Sequence, residues 1–160
     1  MSDLQLGIYQ ASKREVNIVE LLEILLKEFR SIADSKNLKL IFSTDIQEKV
    51  IYLDDYAFGQ IMANLLDNAL KYTKEGKVEL KLETGKEIRI SVLDTGIGIS
   101  EEFLPNLFTP FSQEEQGYTR SYDGNGLGLA LVKKYCDFIG AEIEVQSKKN
   151  EGTVFTIIFN

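Results

Sequence analysis

The stretch that most restricts the fold runs from Asp54 to Tyr72, around the segment NLLDNALKYT at residues 64–73. Asp54 and Asp55 precede a run with helical spacing, and either can cap its first turn. At about 100° per residue, Phe58, Ile61, Met62, Leu65 and Ala69 gather on one side. Asn64, Asn68 and Lys71 share a narrow face opposite them, with Gln60 and Asp67 at its edge. The apolar side demands a cover, so this helix must lie on another layer of structure. The polar side is unusual for a merely wetted surface. Solvated helix faces favour Glu, Lys and Arg, whereas asparagine is a poor helix former. Two amides at i and i+4 can bring two neutral oxygens to one spot, as a hard cation needs. A lysine one turn later suits a phosphate.

The flanking sequence supplies the cover. Val16 to Ser35 reads as a first amphipathic helix through Ile18, Leu21, Leu22, Leu25, Phe29 and Ile32. Lys39–Thr44 and Val50–Leu53 read as short strands. Gly76–Glu83 and Ile88–Leu93 alternate, with a hairpin at Thr84-Gly85-Lys86. Ser100-Glu101-Glu102 is expected to start a short helix. Residues 112–124 form a long polar loop without apolar period, a length that in compact domains usually serves a function. A third helix is expected over Leu127–Ile139, then strands Ala141–Val145 and Thr153–Phe159 around an Asn150-Glu151-Gly152 turn. This order predicts an α+β fold: a two-layer sandwich with a mixed sheet and three main helices on one face. Residues 1–15 lack a pattern and are expected to be a helix end and linker, with residues 16–160 as one domain.

Composition narrows the chemistry. The 160 residues contain no histidine, so neither a Ser-His-Asp triad nor a histidine base is available. A single cysteine, Cys136, rules out an internal disulfide and, without histidine, makes zinc a poor fit. It reads as a small core residue, and a reducing compartment suits it. A net charge of -7 gives no basic patch for nucleic acid or an anionic membrane. No apolar run is long enough for a membrane span and no signal-peptide pattern opens the sequence, so a cytoplasmic domain is expected.

Two glycine segments complete the pattern. Asp94-Thr95-Gly96-Ile97-Gly98 follows a strand, but Glu101 stands where a dinucleotide fingerprint would carry its third glycine. Gly124-Asn125-Gly126-Leu127-Gly128 opens the third helix, where free N–H groups attract anions. No Gly-Lys followed by Ser or Thr is present, which excludes a Walker loop, and no His-Arg-Asp marks a Ser/Thr kinase.

In their order and spacing, NLLDNALKYT, DTGIGI, LFTPFSQ and GNGLGLAL resemble the catalytic and ATP-binding domain of sensor histidine kinases. That domain has the Bergerat-type fold shared with gyrase, Hsp90 and MutL. The resemblance covers residues 16–160. It makes residues 1–15 similar to the tail of a dimerisation helix plus linker. It implies that Asn68 is the main Mg²⁺ ligand, with Asn64 beside it, that Lys71 contacts phosphate and that Tyr72 lies against adenine or ribose. Asp94 would accept from the adenine amino group, supported by Thr153, while Gly96 and Gly98 let backbone pass close to the base. A buried carboxylate acceptor selects a 6-amino purine, because a 6-oxo purine would face it with another acceptor. Phe108 and Phe111 would hinge a lid. Gly124, Gly126, Leu127 and Gly128 would bind the triphosphate, and Arg120 would reach the γ-phosphate. The implied ligands are ATP or ADP with Mg²⁺. The implied partners are a histidine-bearing dimerisation domain and, downstream, a response regulator. The isolated domain is expected to be monomeric, and the resemblance leaves open a membrane-anchored parent.

Asn64 discriminates within that superfamily. The ATPase branches, and the serine kinases and anti-sigma factors, usually place a glutamate base there. An amide accepts no proton at neutral pH. Histidine needs no such base, since a neutral imidazole is already a nucleophile. The expected activity is therefore protein histidine kinase chemistry on a histidine outside this sequence. The alternatives are a nucleotide-binding regulatory module, or an anti-sigma or serine-kinase relative.

Overall fold

The structure, a computed structural model, describes residues 12–109 and 128–160. A five-stranded sheet has the order β2-β4-β5-β7-β6, formed by Lys39–Thr44 (β2), Lys77–Thr84 (β4), Ile88–Asp94 (β5), Glu142–Lys148 (β6) and Gly152–Phe159 (β7). β2 runs parallel to β4 and the other neighbours are antiparallel, so the sheet is mixed. Helices Ile18–Ser35 (α1), Asp55–Lys71 (α2) and Gly128–Ile139 (α3) pack on it. This is the expected α+β sandwich.

Strand alternation decides which sheet face they cover. Val78, Leu80 and Leu82 of β4, Ile90 and Val92 of β5, and Phe155 and Ile157 of β7 are buried towards the helices. The opposite face carries Glu79, Lys81, Arg89 and Glu144, with a Ser91–Thr156 hydroxyl pair at 3.0 Å between strands. One face is thus apolar and one polar, as an antiparallel sheet allows. From α2, Phe58, Ile61, Met62, Leu65, Leu66 and Leu70 are essentially inaccessible. Each such burial contributes about 1.5–3 kcal/mol. Two asparagines cost the helix only about 0.7 kcal/mol each in propensity, so packing decides the outcome.

Three local features depart from the reading of the sequence. Arg14–Asn17 is a strand (β1), paired antiparallel with Val50–Leu53 (β3) in a separate two-stranded sheet. Arg14 and Glu15 are thus ordered against Leu53 and Tyr52 where a linker was expected, and α1 starts at Ile18 rather than Val16. Ser100–Glu102 starts no α-helix. Ser100 closes a turn by accepting from the N–H groups of Phe103 and Leu104, and a single 3₁₀ turn follows at Leu104–Asn106. Pro105 lacks an N–H, suits a first turn and cannot support a helix interior. Leu107 and Ile99, both buried, tie this segment to the core. Among the described residues, no helix is long and apolar enough to cross a membrane.

Candidate functional site

The polar face of α2 is built as its spacing requires. Asn64, Asp67, Asn68 and Lys71 are half-buried on one side of the helix, opposite the core residues. The Asn64 side-chain N–H donates to the Gln60 carbonyl at 2.8 Å. That bond uses one of the two amide hydrogens and leaves Oδ1 facing the first turn of α3. A methyl group at Gly128 would sit 3.6 Å from this oxygen. Lys71 Nζ lies 3.0 Å from Asp67 on the preceding turn. An i,i+4 pair of this exposure is worth about 0.3–0.5 kcal/mol, so the ammonium can leave it for a stronger anion at little cost.

A second wall comes from the end of β5. Asp94 is 6% exposed, and its Oδ1 accepts from Gly96 N–H at 2.9 Å. This local bond curls the chain immediately after the strand. Asp94 stands opposite Thr153 in the β5–β7 register, and Thr153 is buried beside it. Ser147 orients that threonine. Its hydroxyl accepts from Ile99 N–H at 2.8 Å and donates to the Gly152 carbonyl at 3.0 Å. With its one hydrogen so used, the 2.8 Å contact to Thr153 takes the threonine as donor.

The two walls meet at Tyr72. Its carbonyl accepts from Ile97 N–H at 3.1 Å, which bonds the end of α2 to the turn after β5. Gly96 makes this approach possible. A Cβ there would run into the Tyr72 carbonyl oxygen and would lie 2.9 Å from Thr73 Oγ1. Gly98 has φ +71°, and its Cβ would meet the Lys148 carbonyl. Both glycines are therefore required by close approach of one backbone to another within the protein.

The end of α2 is held from a third direction. Lys36, just past α1, donates from Nζ to the Leu70 carbonyl and, at 3.4 Å, to that of Lys71. These are among the terminal carbonyls that a helix leaves without internal donors. Burial pushes the Lys36 ammonium below the usual lysine range. Sequence reading missed Lys36, since it belongs to another helix and no motif marks it. It also missed Thr73, which is fully buried with its hydroxyl lacking a hydrogen-bond partner.

Of the remaining expected residues, Phe108 is half-buried, its ring edge-on to Phe155 at 6.4 Å, and so is anchored to β7. Phe111, Arg120, Gly124, Gly126 and Leu127, with the loop 112–124, lie outside the described residues. The described site residues are thus Asn64, Asn68 and Lys71 on α2, Tyr72 just past its end, Asp94 at the end of β5, Gly96 and Gly98 after it, Thr153 on β7 and Gly128 at the start of α3. Such a site offers a buried carboxylate at one end and amide oxygens with an ammonium at the other.

Comparison with known proteins shows the family and the fold. Residues 54–160 match the family described as histidine kinase-, DNA gyrase B- and HSP90-like ATPase. The chain is 32% identical to the autoinducer 2 sensor kinase/phosphatase LuxQ of Vibrio parahaemolyticus, over 98% of its own length and 19% of that protein's. It is 34% identical to a sensor-like histidine kinase of Rhizobium meliloti, over 98% of its length and 30% of the relative's. It therefore spans less than a third of either relative. Among solved structures, full-length ShkA in complex with AMPPNP superposes with a TM-score of 0.85 at 27% identity, covering 98% of this chain and 33% of that one. The nucleotide-free catalytic domain of the histidine kinase ThkA gives 0.80 at 27% identity, covering 92% and 95%.

Proposed function

The chain belongs to the histidine kinase-, DNA gyrase B- and HSP90-like ATPase family, and from that premise we propose that it binds Mg-ATP and transfers the γ-phosphate to a histidine on a separate dimerisation domain. Residues 16–160 form the catalytic unit of this reading, and a response regulator is the downstream acceptor. The observation that carries it is the junction at Tyr72, whose carbonyl accepts from Ile97 N–H and so joins the end of α2, which carries Asn68 and Lys71, to the turn that follows the buried Asp94.

Asp94 accepts from the adenine amino group, and Thr153, held by Ser147, lines the wall beside it. Tyr72 lies against the base or ribose. Lys71 exchanges its weak pairing with Asp67 for phosphate. The donor set fits magnesium, because that ion takes few protein ligands and fills its shell with water and substrate phosphates. Asn68 would hold it, with Asn64 Oδ1 beside it. When bound, the metal neutralises charge on the transferring phosphate. Gly128, with the residues preceding it, binds the triphosphate at the start of α3. Positioning of this kind is most of what phosphoryl transfer requires.

Asn64 favours the histidine-kinase branch. It offers no base to water or to a serine hydroxyl, whereas an imidazole nucleophile needs none. The chain has no histidine, so it cannot phosphorylate itself on one. Incubated with labelled ATP, it should hydrolyse ATP slowly and remain unlabelled. A matching histidine-bearing domain supplied in trans should acquire acid-labile, base-stable phosphate. Labelling should be weaker than in a covalently tethered pair, where effective concentration is higher. Rapid hydrolysis, or acid-stable phosphate on the chain itself, would move it to the ATPase or serine-kinase branch. Nucleotide binding with no transfer to any histidine domain would leave a regulatory module.

A further inference from the structure

We propose that Lys36 is a positioning residue for the nucleotide site, acting from outside it through the last carbonyls of α2. The inference rests on the nucleotide-binding reading above and adds a residue that neither motif nor family match identifies.

The geometry begins with the end of α1. Lys36 N–H still bonds back to Ile32 and Ala33, at 3.2 and 3.1 Å. Asn37 then turns the chain with φ +57°, a left-handed conformation that asparagine tolerates better than most residues. Leu38 N–H returns to the Ala33 carbonyl at 2.9 Å, completing a closed helix end. This hook fixes the Lys36 backbone beside the end of α2. The side chain then spans to the Leu70 and Lys71 carbonyls. A cation there meets the negative end of the helix dipole as well as two acceptors.

Those carbonyls immediately precede the functional junction. Lys71 carries the ammonium assigned to phosphate. Tyr72 supplies the carbonyl that Ile97 N–H bonds, and Ile97 follows the Asp94–Gly96 turn. The last turn of α2 could otherwise fray, as helix ends do. Fraying would move Lys71 and Tyr72 away from Asp94 and separate the two walls. Lys36 opposes that motion by holding the last two carbonyls of α2 from just past α1. Its role is to hold the register between α2 and the β5 turn.

The test compares the wild type with Lys36→Met, which keeps the aliphatic stem, and Lys36→Arg, which restores a cationic donor. ADP affinity is measured by titration of a fluorescent ADP analogue. Amide exchange is followed without nucleotide at Lys71, Tyr72 and Ile97, with the Leu65 amide as internal control. Lys36→Met should weaken affinity by roughly threefold to tenfold, a loss equivalent to up to about 1.4 kcal/mol. It should accelerate exchange at the three junction amides and leave Leu65 protected. Lys36→Arg should bring affinity to within about twofold of wild type, allowing about 0.4 kcal/mol for imperfect geometry. Unchanged affinity in Lys36→Met overturns the proposal. So does a uniform rise in exchange that includes Leu65, since that marks a general packing role. If the wild type itself fails to bind ADP, the functional reading falls and the Lys36 proposal falls with it. Binding by the wild type with no effect of Lys36→Met removes only the latter.

Discussion

The two ends of α2 are finished in different ways. At the N-terminal end the cap is the neighbouring residue. Asp54 is 1% exposed, and its Oδ1 accepts from Ala57 N–H at 3.0 Å. Its Oδ2 accepts from Ser12 N–H at 3.0 Å, and Asp55 pairs with Arg14, so the entering segment fastens here. At the C-terminal end the cap arrives from 34 residues upstream, as the Lys36 ammonium. The first end is capped by its own neighbouring residue, receives the Ser12–Arg14 segment, and carries none of the proposed ligand contacts. The second is held by Lys36 from just past α1 and by the turn after β5, and carries Asn68, Lys71 and Tyr72. The difference teaches that local capping suffices to start a helix. Placing functional groups at its end takes contacts that reach across the fold.

This contrast can be broken most severely at Gly96. In Gly96→Ala the added methyl enters the Tyr72 carbonyl and Thr73, so the junction must open. Overpacking of this kind costs about 3 kcal/mol, and both denaturant stability and ADP affinity should fall together. Asp94→Asn should separate the two properties. Affinity for adenine nucleotides should drop by about 2 kcal/mol through a mispaired buried contact, with a smaller change in unfolding midpoint. Normal ATP binding by that variant would remove Asp94 as the base acceptor. Asn68→Ala should reduce transfer to the histidine domain tenfold or more, about 1.4 kcal/mol, while metal-free ADP binding changes less. Equal loss in both assays would show misfolding instead.

The N-terminal end should answer differently. Asp54→Ala should lower stability by about 1 kcal/mol and leave ADP affinity unchanged in the folded protein. A matching loss of affinity would mean that the two ends are coupled. A pH-dependent effect is expected at Cys136. It is buried on α3, next to Tyr135, whose ring meets Tyr56 from the first turn of α2. Burial pushes its thiol up to about 12, with a small opposing influence from Lys133. The folded chain keeps a proton that the unfolded chain loses. This part of the stability is therefore complete below the unfolded value of 9.0 and is lost as pH rises towards about 12. Denaturant midpoints at pH ~8 and ~10 should differ less in Cys136→Ala than in the wild type. Thiol labelling at neutral pH should track unfolding alone.

Sequence order carried α2 well, because its periodicity and its cap are both local. Phe58, Ile61, Met62, Leu65 and Ala69 are buried as their spacing requires, and Asp54 is the cap. The strands β4 and β5 were legible from alternation, and the turn between them from Gly85. Arg14–Asn17 was not legible. Four residues with one clear apolar position, Val16, show no period, and their pairing with β3 is a long-range event. Lys36 was invisible for the same reason. Gly96 and Gly98 were legible as special positions, but the partner that excludes a side chain is the protein's own backbone. The short helix expected from Ser100 is a turn on Ser100 followed by one 3₁₀ turn at Leu104–Asn106, because Pro105 suits a first turn and cannot support a longer helix interior.

The parallel pairing of β2 with β4 has a kinetic consequence. The hairpins β4–β5 and β6–β7 close through short turns, and such events take roughly 1–10 μs. β2 joins β4 only after the chain has passed through β3 and α2 and returned. A parallel crossover gains nothing until both ends have met, so its loop entropy is spent in advance. Docking of α2 on the β4–β5 hairpin is thus expected to precede joining of the edge strand. Mutations on the buried face of α2 should slow folding, whereas those on β2 should mainly speed unfolding. The helix assigned to the nucleotide would then also be an early organiser of the sheet beneath it.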